Sequence, residues 1–326
     1  MWIILFVLLN QLIICYRTII SYDLINFKKM TEIKEAHNKE ITNFRYYLDK
    51  IKNRDLVLSI SSENNELKIW NINNFECILH LKDVNENQYL NSACILNENN
   101  QNYIITSNCN WYKKSDPIKV FDFNGNKIKE INNSNDVTFF IDTHYDKNNY
   151  QIYILTATSL NVKSYDYKNN KIYKVYDDNY SDKDIDNEFH LNDNYHRSLI
   201  IYESENLVKL AESCVDGHIR IWDFHSGKLL NKILIQKDLD LIGLCLYKNK
   251  YLFIGREDEN MKLIDLNKGF IITISTDYYR FNDNINIITI KTINHPKYGE
   301  CLITQTRNIG KIKLWVIKNL FDKEKN

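Results

Sequence analysis

The residues of this chain that could do chemistry are eight histidines, at positions 37, 80, 144, 190, 196, 218, 225 and 295, and seven cysteines, at 15, 77, 94, 109, 214, 245 and 301. A zinc site draws its ligands from close-set Cys and His pairs on turns, or from His and Glu on one helix face. No C-x-x-C, H-x-E or H-E-x-x-H occurs, so no metal-ligand set is expected. An odd, scattered set of cysteines is not a disulfide framework either. It reads as small buried hydrophobes in a reducing compartment. His196, Ser213 and Asp216 have the residue types of a hydrolase triad, but no G-x-S-x-G elbow surrounds the serine. Neither G-x-x-x-x-G-K nor G-x-G-x-x-G occurs, which leaves no handle for nucleotide phosphates. The expectation is a protein without catalytic residues and without a cofactor.

The composition narrows the elements that position these residues. Lys plus Arg and Asp plus Glu are both 42, so the net charge is zero, and the basic excess of a nucleic-acid binder is missing. A hydrophobic content of 44% with 13% aromatics is too rich for disorder, and 22 Tyr with 14 Phe favour strands. Asn is frequent and Ala scarce, so a single Asn carries little functional information. The opening run MWIILFVLLNQLIICY is apolar, but no Lys or Arg precedes it and Asn10 and Gln11 interrupt it. It is also shorter than the ~20 residues of a spanning helix. Residues 1–16 are therefore expected to supply strand, in a cytoplasmic protein that does not engage a membrane. The alternative is a signal or anchor, which would make the protein secretory or membrane-tethered.

One phrase recurs along the chain: an alternating strand, an aromatic or apolar residue, an acidic or amide residue, a polar turn and a second short strand. Its clearest copy is ESCVDGHIRIWDFHSGKLLNKI at 212–233. The anchor pairs are Tyr22-Asp23, Trp70-Asn71, Phe121-Asp122, Tyr165-Asp166, Trp222-Asp223, Ile264-Asp265 and Trp315-Val316. Their second members lie 48, 51, 44, 57, 42 and 51 residues apart. These gaps sit at or slightly above the ~40–45-residue period of a four-stranded propeller blade. A lone four-stranded sheet cannot cover both its faces, whereas sheets stacked around an axis cover one another. Asp216-Gly217 lies between two strand-like runs, where a tight hairpin needs positive φ.

With these repeats, the chain resembles the WD-repeat β-propellers over about residues 16 to 320. The fold class this implies is all-β, a propeller of seven blades, each a four-stranded antiparallel sheet. It spans 1–326 as one unit, with 321–326 as a tail. The resemblance also implies a hydrogen-bonded structural tetrad of His, Ser or Thr, Asp and Trp. In the best blade His196, Ser213, Asp216 and Trp222 match it by order and spacing. In an earlier blade His37, Ser61 or Ser62, Asn65 and Trp70 match more loosely. Such propellers usually complete one blade with strands from both termini. Here only residues 318–326 are left for an outer strand, so the expectation is either a blade short of a strand or an incomplete gene product.

Two connections are longer than a hairpin needs. Residues 177–193 carry seven acidic residues against one Lys, among them Asp182, Asp184 and Asp186. Residues 108–117 carry Trp111 and Tyr112 in a turn that would ordinarily be polar. An aromatic anchor beside an acidic rim suits a protein or peptide partner of basic character. The family's geometry puts both connections on one face of the disc. The reading is a non-catalytic protein-interaction scaffold. The alternative is an enzyme or small-molecule binder that uses polar residues of the innermost strands, such as ITNFRYY at 41 and INIITIKTI at 285.

Overall fold

Among the described residues, the apolar-patterned runs form strands and the polar clusters between them form turns. The computed structural model describes residues 4–8, 11–15, 17–84, 89–109, 117–132, 137–178, 195–204, 206–237, 241–256, 261–274, 287–306 and 312–322. The first sheet contains β1 (Ile4–Leu8), β2 (Gln11–Cys15), β3 (Ile19–Asp23) and β4 (Lys29–Ile33). The second contains β5 (Asn43–Asp49), β6 (Arg54–Ser61), β7 (Glu66–Asn71) and β8 (Glu76–Leu81). The third contains β9 (Tyr89–Glu98), β10 (Gln101–Cys109), β11 (Ile118–Asp122) and β12 (Lys127–Ile131). The fourth contains β13 (Thr138–Asp146), β14 (Gln151–Thr158), β15 (Val162–Asp166) and β16 (Lys171–Tyr176). The fifth contains β17 (His196–Ser204), β18 (Leu207–Cys214), β19 (His218–Asp223) and β20 (Leu229–Leu234). The sixth contains β21 (Leu241–Tyr247), β22 (Tyr251–Arg256), β23 (Met261–Asp265) and β24 (Phe270–Ile274). The seventh has three strands, β25 (Ile287–His295), β26 (Gly299–Thr306) and β27 (Ile312–Val316), after which the chain enters the short helix α1 (Ile317–Asp322).

Neighbouring strands in every sheet are antiparallel and consecutive in sequence. Each sheet's first strand touches the first strand of the next sheet, and β25 touches β1, which closes the ring. The molecule is a seven-bladed β-propeller. Among the described residues, six blades have the expected four strands and the seventh has three. The apolar opening run supplies β1 and β2. No helix among the described residues is long and apolar enough to cross a membrane.

The second member of each anchor pair makes the outer hairpin. Asp23 Oδ1 accepts the backbone N–H of Ile25 and Asn26. Asn71 Oδ1 accepts that of Asn73. Asp122, Asp166, Asp223 and Asp265 do the same for the turns after β11, β15, β19 and β23. A carboxylate or amide on the last residue of the strand thus replaces the carbonyl that would otherwise organise the turn. These bonds also hold the Asp122, Asp223 and Asp265 carboxyls below their ordinary range, against the upward push of partial burial. The seventh blade has Val316 at this place. No side-chain acceptor is available there, and the chain runs on into α1 instead of turning back.

The core lies between blades. Leu56, Leu58 and Leu67 of blade 2 pack on Leu90, Ile104 and Phe121 of blade 3. Ile105, Val120 and Ile131 meet Ile141, Ile154 and Tyr165. Tyr153 and Tyr176 meet Trp222 and Phe224, and equivalent seams join blades 5 and 6, 6 and 7, and 1 and 2. The seam that joins blade 7 to blade 1 has only Leu12, Leu24 and Ile303 as buried members among the described residues. His295 adds a polar link there. Its Nδ1 accepts from the backbone of Lys297 and Tyr298, and its Nε2 donates to Leu24 O at 3.2 Å.

Candidate functional site

The crossovers between blades and the turns joining second to third strands are hydrogen-bonded to each other. The pairs are His37 N to Arg17 O, Val84 N to Asn65 O, Ser159 N to Val137 O and Val215 N to Tyr195 O. These two kinds of connection therefore share one face of the disc. Trp111 and Tyr112 belong to one kind and Asp182, Asp184 and Asp186 to the other, but all five lie outside the described residues.

The base of the acidic connection is described, and a buried charge network holds it. Asp178 accepts from Arg220 Nε at 2.9 Å and from Lys232 Nζ at 2.5 Å. Arg220 also grips Asp216 with Nη1 at 3.3 Å and Nη2 at 2.6 Å, and its Nε stands 3.9 Å from Glu212 Oε1. The Glu212 side chain is fully buried and that of Arg220 is 3% exposed. Burial pushes the Asp216 carboxyl up, but the bonds and charge of Arg220 overcome it and hold it at about 2. Asp178 is lowered in the same way by Lys232 and Arg220, again against burial.

His196, Ser213, Asp216 and Trp222 are not joined into the expected four-membered network. His196 Nδ1 donates to Glu212 Oε2 at 2.7 Å, and its Nε2 to Leu160 O at 3.2 Å. Asp216 bonds Arg220 and the backbone of His218. Ser213 Oγ and Trp222 Nε1 are buried with no hydrogen-bond partner. The reason is strand register. Glu212 pairs with Arg220 and Leu210 with Trp222, so Glu212 points to the same side of the sheet as the tryptophan. Ser213 is one residue on and points to the other side.

Blade 2 does carry a His–Ser–Trp network, through a different serine from the two expected. Trp70 Nε1 donates to Ser59 Oγ at 2.8 Å, and Ser59 Oγ lies 2.8 Å from His37 Nε2. Ser59 pairs with Lys68, two residues before Trp70, as Glu212 pairs with Arg220 two before Trp222. Ser61 pairs with Glu66, at the turn end of the ladder, and Thr42 and Leu90 engage Ser62. Asn65 gives its backbone to Val84. Glu66 stands between His37 Nδ1 at 3.5 Å and His80 Nε2 at 3.6 Å.

His37 of blade 2 and His196 of blade 5 shift in opposite senses. Burial first, then the charges of Lys68 and His80, lower His37 to about 3, so it is neutral in the fold. On acidification the unfolded chain takes up this proton and the folded chain does not. His37 therefore stabilises fully above about pH 6.5, and its contribution is lost between there and about pH 3, by up to about 1.4 kcal/mol per pH unit. At His196 burial again opposes the charge, but Glu212 outweighs it and raises the ring. Its contribution is present below about pH 6.5 and is lost as pH rises through the raised value. Urea titrations across pH 4–8 should show the stability gap between wild type and His37→Gln widening with pH. The gap for His196→Gln should narrow. Parallel curves for both variants would contradict the two environments.

A basic residue stands two before the anchor in six blades: Lys68, Lys119, Lys163, Arg220, Lys262 and Lys313. Three of them bond the crossover entering their own blade. Lys68 Nζ donates to Ala36 O at 2.6 Å, Lys119 Nζ to Val84 O at 3.2 Å, and Arg220 Nε to Asp178. This row was visible in the repeats, and it is the signal that could have identified Arg220 and Asp178.

The innermost strands are more polar than ordinary core strands. Arg45 of β5 reaches past blade 3 to β13, where it meets Asp142 Oδ2 at 3.1 Å, Ile141 O at 2.7 Å and the Phe140 ring at 4.4 Å. A groove of about 550 Å³ opens beside it, lined by Asp142, His144, Tyr145, Tyr202, Glu203 and Asn249 among others. No group of three or more His, Cys, Asp or Glu among the described residues is placed to hold a metal ion. Compared with known proteins, the chain matches no family model and no curated sequence.

Proposed function

We propose that this propeller belongs with the WD-repeat proteins and works as a non-catalytic scaffold that binds other proteins or peptides of basic character. The observation that carries the reading is the pinned root of the acidic connection. Arg220 and Lys232 fix Asp178, while Asp182, Asp184 and Asp186 follow within the same run of sequence. A frame held by buried charge pairs presents such a connection at little ordering cost. Cys77, Cys94, Cys214, Cys245 and Cys301 are free thiols, and all but Cys77 are buried, in keeping with a cytoplasmic protein. The test is affinity capture with the full-length protein, with Trp111→Ala, and with Asp182, Asp184 and Asp186 all changed to Asn. Partner recovery should drop tenfold or more in at least one variant, and recovery by wild type should fall as salt rises. Unchanged recovery of every partner, with both variants folded, would remove this face as the working surface.

A second reading rests on the groove beside Arg45 and Asp142, which has the size of a small-molecule site and convergent polar groups. On that reading, a small ligand would raise the melting temperature of wild type but not of Asp142→Asn.

A further inference from the structure

The third strands of blades 1–6 each lie between two neighbours, whereas β27 pairs with β26 and, among the described residues, with no strand on its other side. The difference shows in burial. The residue three before the anchor is Ile19, Leu67, Ile118, Val162, Ile219 or Met261 in blades 1–6, and every one is at most 1% exposed. The equivalent residue of blade 7 is Ile312, and it is half-buried like the whole of β27. Helix α1 does not replace the missing strand. Its Ile317 and Leu320 join the seam with blade 6, and the Phe321 ring lies 4.9 Å from that of Tyr251. Backbone groups of a helix bond within the helix, so they cannot serve a strand edge.

We propose that β27 accepts a fourth strand from another protein: an extended segment with glutamate directly followed by isoleucine or leucine, running antiparallel to residues 312–316. The proposal rests on the scaffold reading and names one of its surfaces. The six intact blades show what such a strand must offer. Opposite the position of Ile312 they place Ile33, Leu81, Ile131, Tyr176, Ile233 and Ile274, apolar in every case. Opposite the position of Lys313 they place Glu32, His80, Glu130, Val175, Lys232 and Thr273; Glu130 stands against a lysine, Lys119, as a partner of Lys313 would, and directly precedes its isoleucine. Charge points the same way. Residues 311–325 hold Lys311, Lys313, Lys318, Lys323 and Lys325 against Asp322 and Glu324. Strand addition of this kind draws affinity from the main chain and specificity from alternate side chains.

The test uses the full-length protein and a fluorescein-labelled peptide of residues 126–132, Asn-Lys-Ile-Lys-Glu-Ile-Asn, taken from the β12 region. The peptide should bind saturably. Proline in place of its second lysine, Lys129, should weaken binding at least tenfold. Ile312→Glu in the protein should also weaken it at least tenfold, and a peptide with lysine in place of Ile131 should restore it, which a misfolded variant could not do. In hydrogen exchange, the amides of 312–316 that face away from β26 should exchange faster than the equivalent amides of 219–223 and slow when the peptide binds. Absence of saturable binding, equal binding of the proline peptide, or protection of those outward amides in the free monomer would overturn the proposal. So would a protein dimer that the peptide dissociates, because the occupant would then be a second copy. If Ile312→Glu abolishes no captured partner while the Trp111 or aspartate variants do, the edge is wrong and the scaffold reading stands.

Discussion

Replacing Arg220 by alanine is expected to destabilise the protein by about 3–5 kcal/mol, the range for stranding one side of a buried ion pair. Arg220 is the common partner of Asp216 and Asp178 and stands against the fully buried Glu212. Its removal leaves carboxylates without the charge that made burial tolerable. The double change Arg220→Met with Glu212→Leu should cost less than the two single changes added together, because it removes the uncompensated carboxylate along with its partner. Urea unfolding of the four proteins closes the cycle. The acid side supplies a second readout. Asp216 is held at about 2 in the fold, so its stabilising contribution is present above about pH 4 and is lost as pH falls through about 2. The gap between wild type and Arg220→Ala should therefore shrink over that interval. Additive costs in the cycle would mean that these groups do not act as one network.

Trp222→Ala should also cost about 3–5 kcal/mol, the range for truncating a large buried aromatic. The side chain is 1% exposed and forms the seam with Tyr176, Tyr153 and Phe224. The more telling comparison is with phenylalanine. Trp70 Nε1 donates to Ser59, whereas Trp222 Nε1 has no hydrogen-bond partner. Trp70→Phe removes a bond and strands the Ser59–His37 pair, a loss of about 1–3 kcal/mol beyond the change in volume. Trp222→Phe removes a buried donor that nothing accepts, and should be the milder of the two substitutions. The reverse order in thermal or urea unfolding would place a tetrad in blade 5 after all.

The architecture was legible because its signal is repeated. Seven anchor pairs at a blade-like period leave few alternatives to a ring of sheets, and the aspartate after the anchor has a local task that any strand-turn-strand unit imposes. The networks were harder to read because serine is common and register is not visible in a string. Ser213 and Ser61 match a motif by order, yet Ser213 is one residue past Glu212 and faces the other side, while Ser61 shares the side of Ser59 but lies two residues on, at the turn end of the ladder. Counting back in steps of two along the paired strands leads instead to Glu212 and Ser59. Arg45–Asp142 was beyond reach for another reason: the two residues are far apart in sequence and meet only because the ring folds blade 2 and blade 4 around the same axis.

The seam between blades 7 and 1 has a kinetic consequence. Leu12, Leu24 and Ile303 are buried in it, Tyr22, Ile293, Ile312 and Leu314 pack against them, and His295 bonds Leu24 O across it. The other seams join blades that follow one another along the chain, whereas this one joins the first blade to the last. Its closure therefore spans the largest loop and carries the largest entropy cost, which grows slowly with loop length. Ring closure is the step expected to come last in folding, after the neighbouring blades have packed.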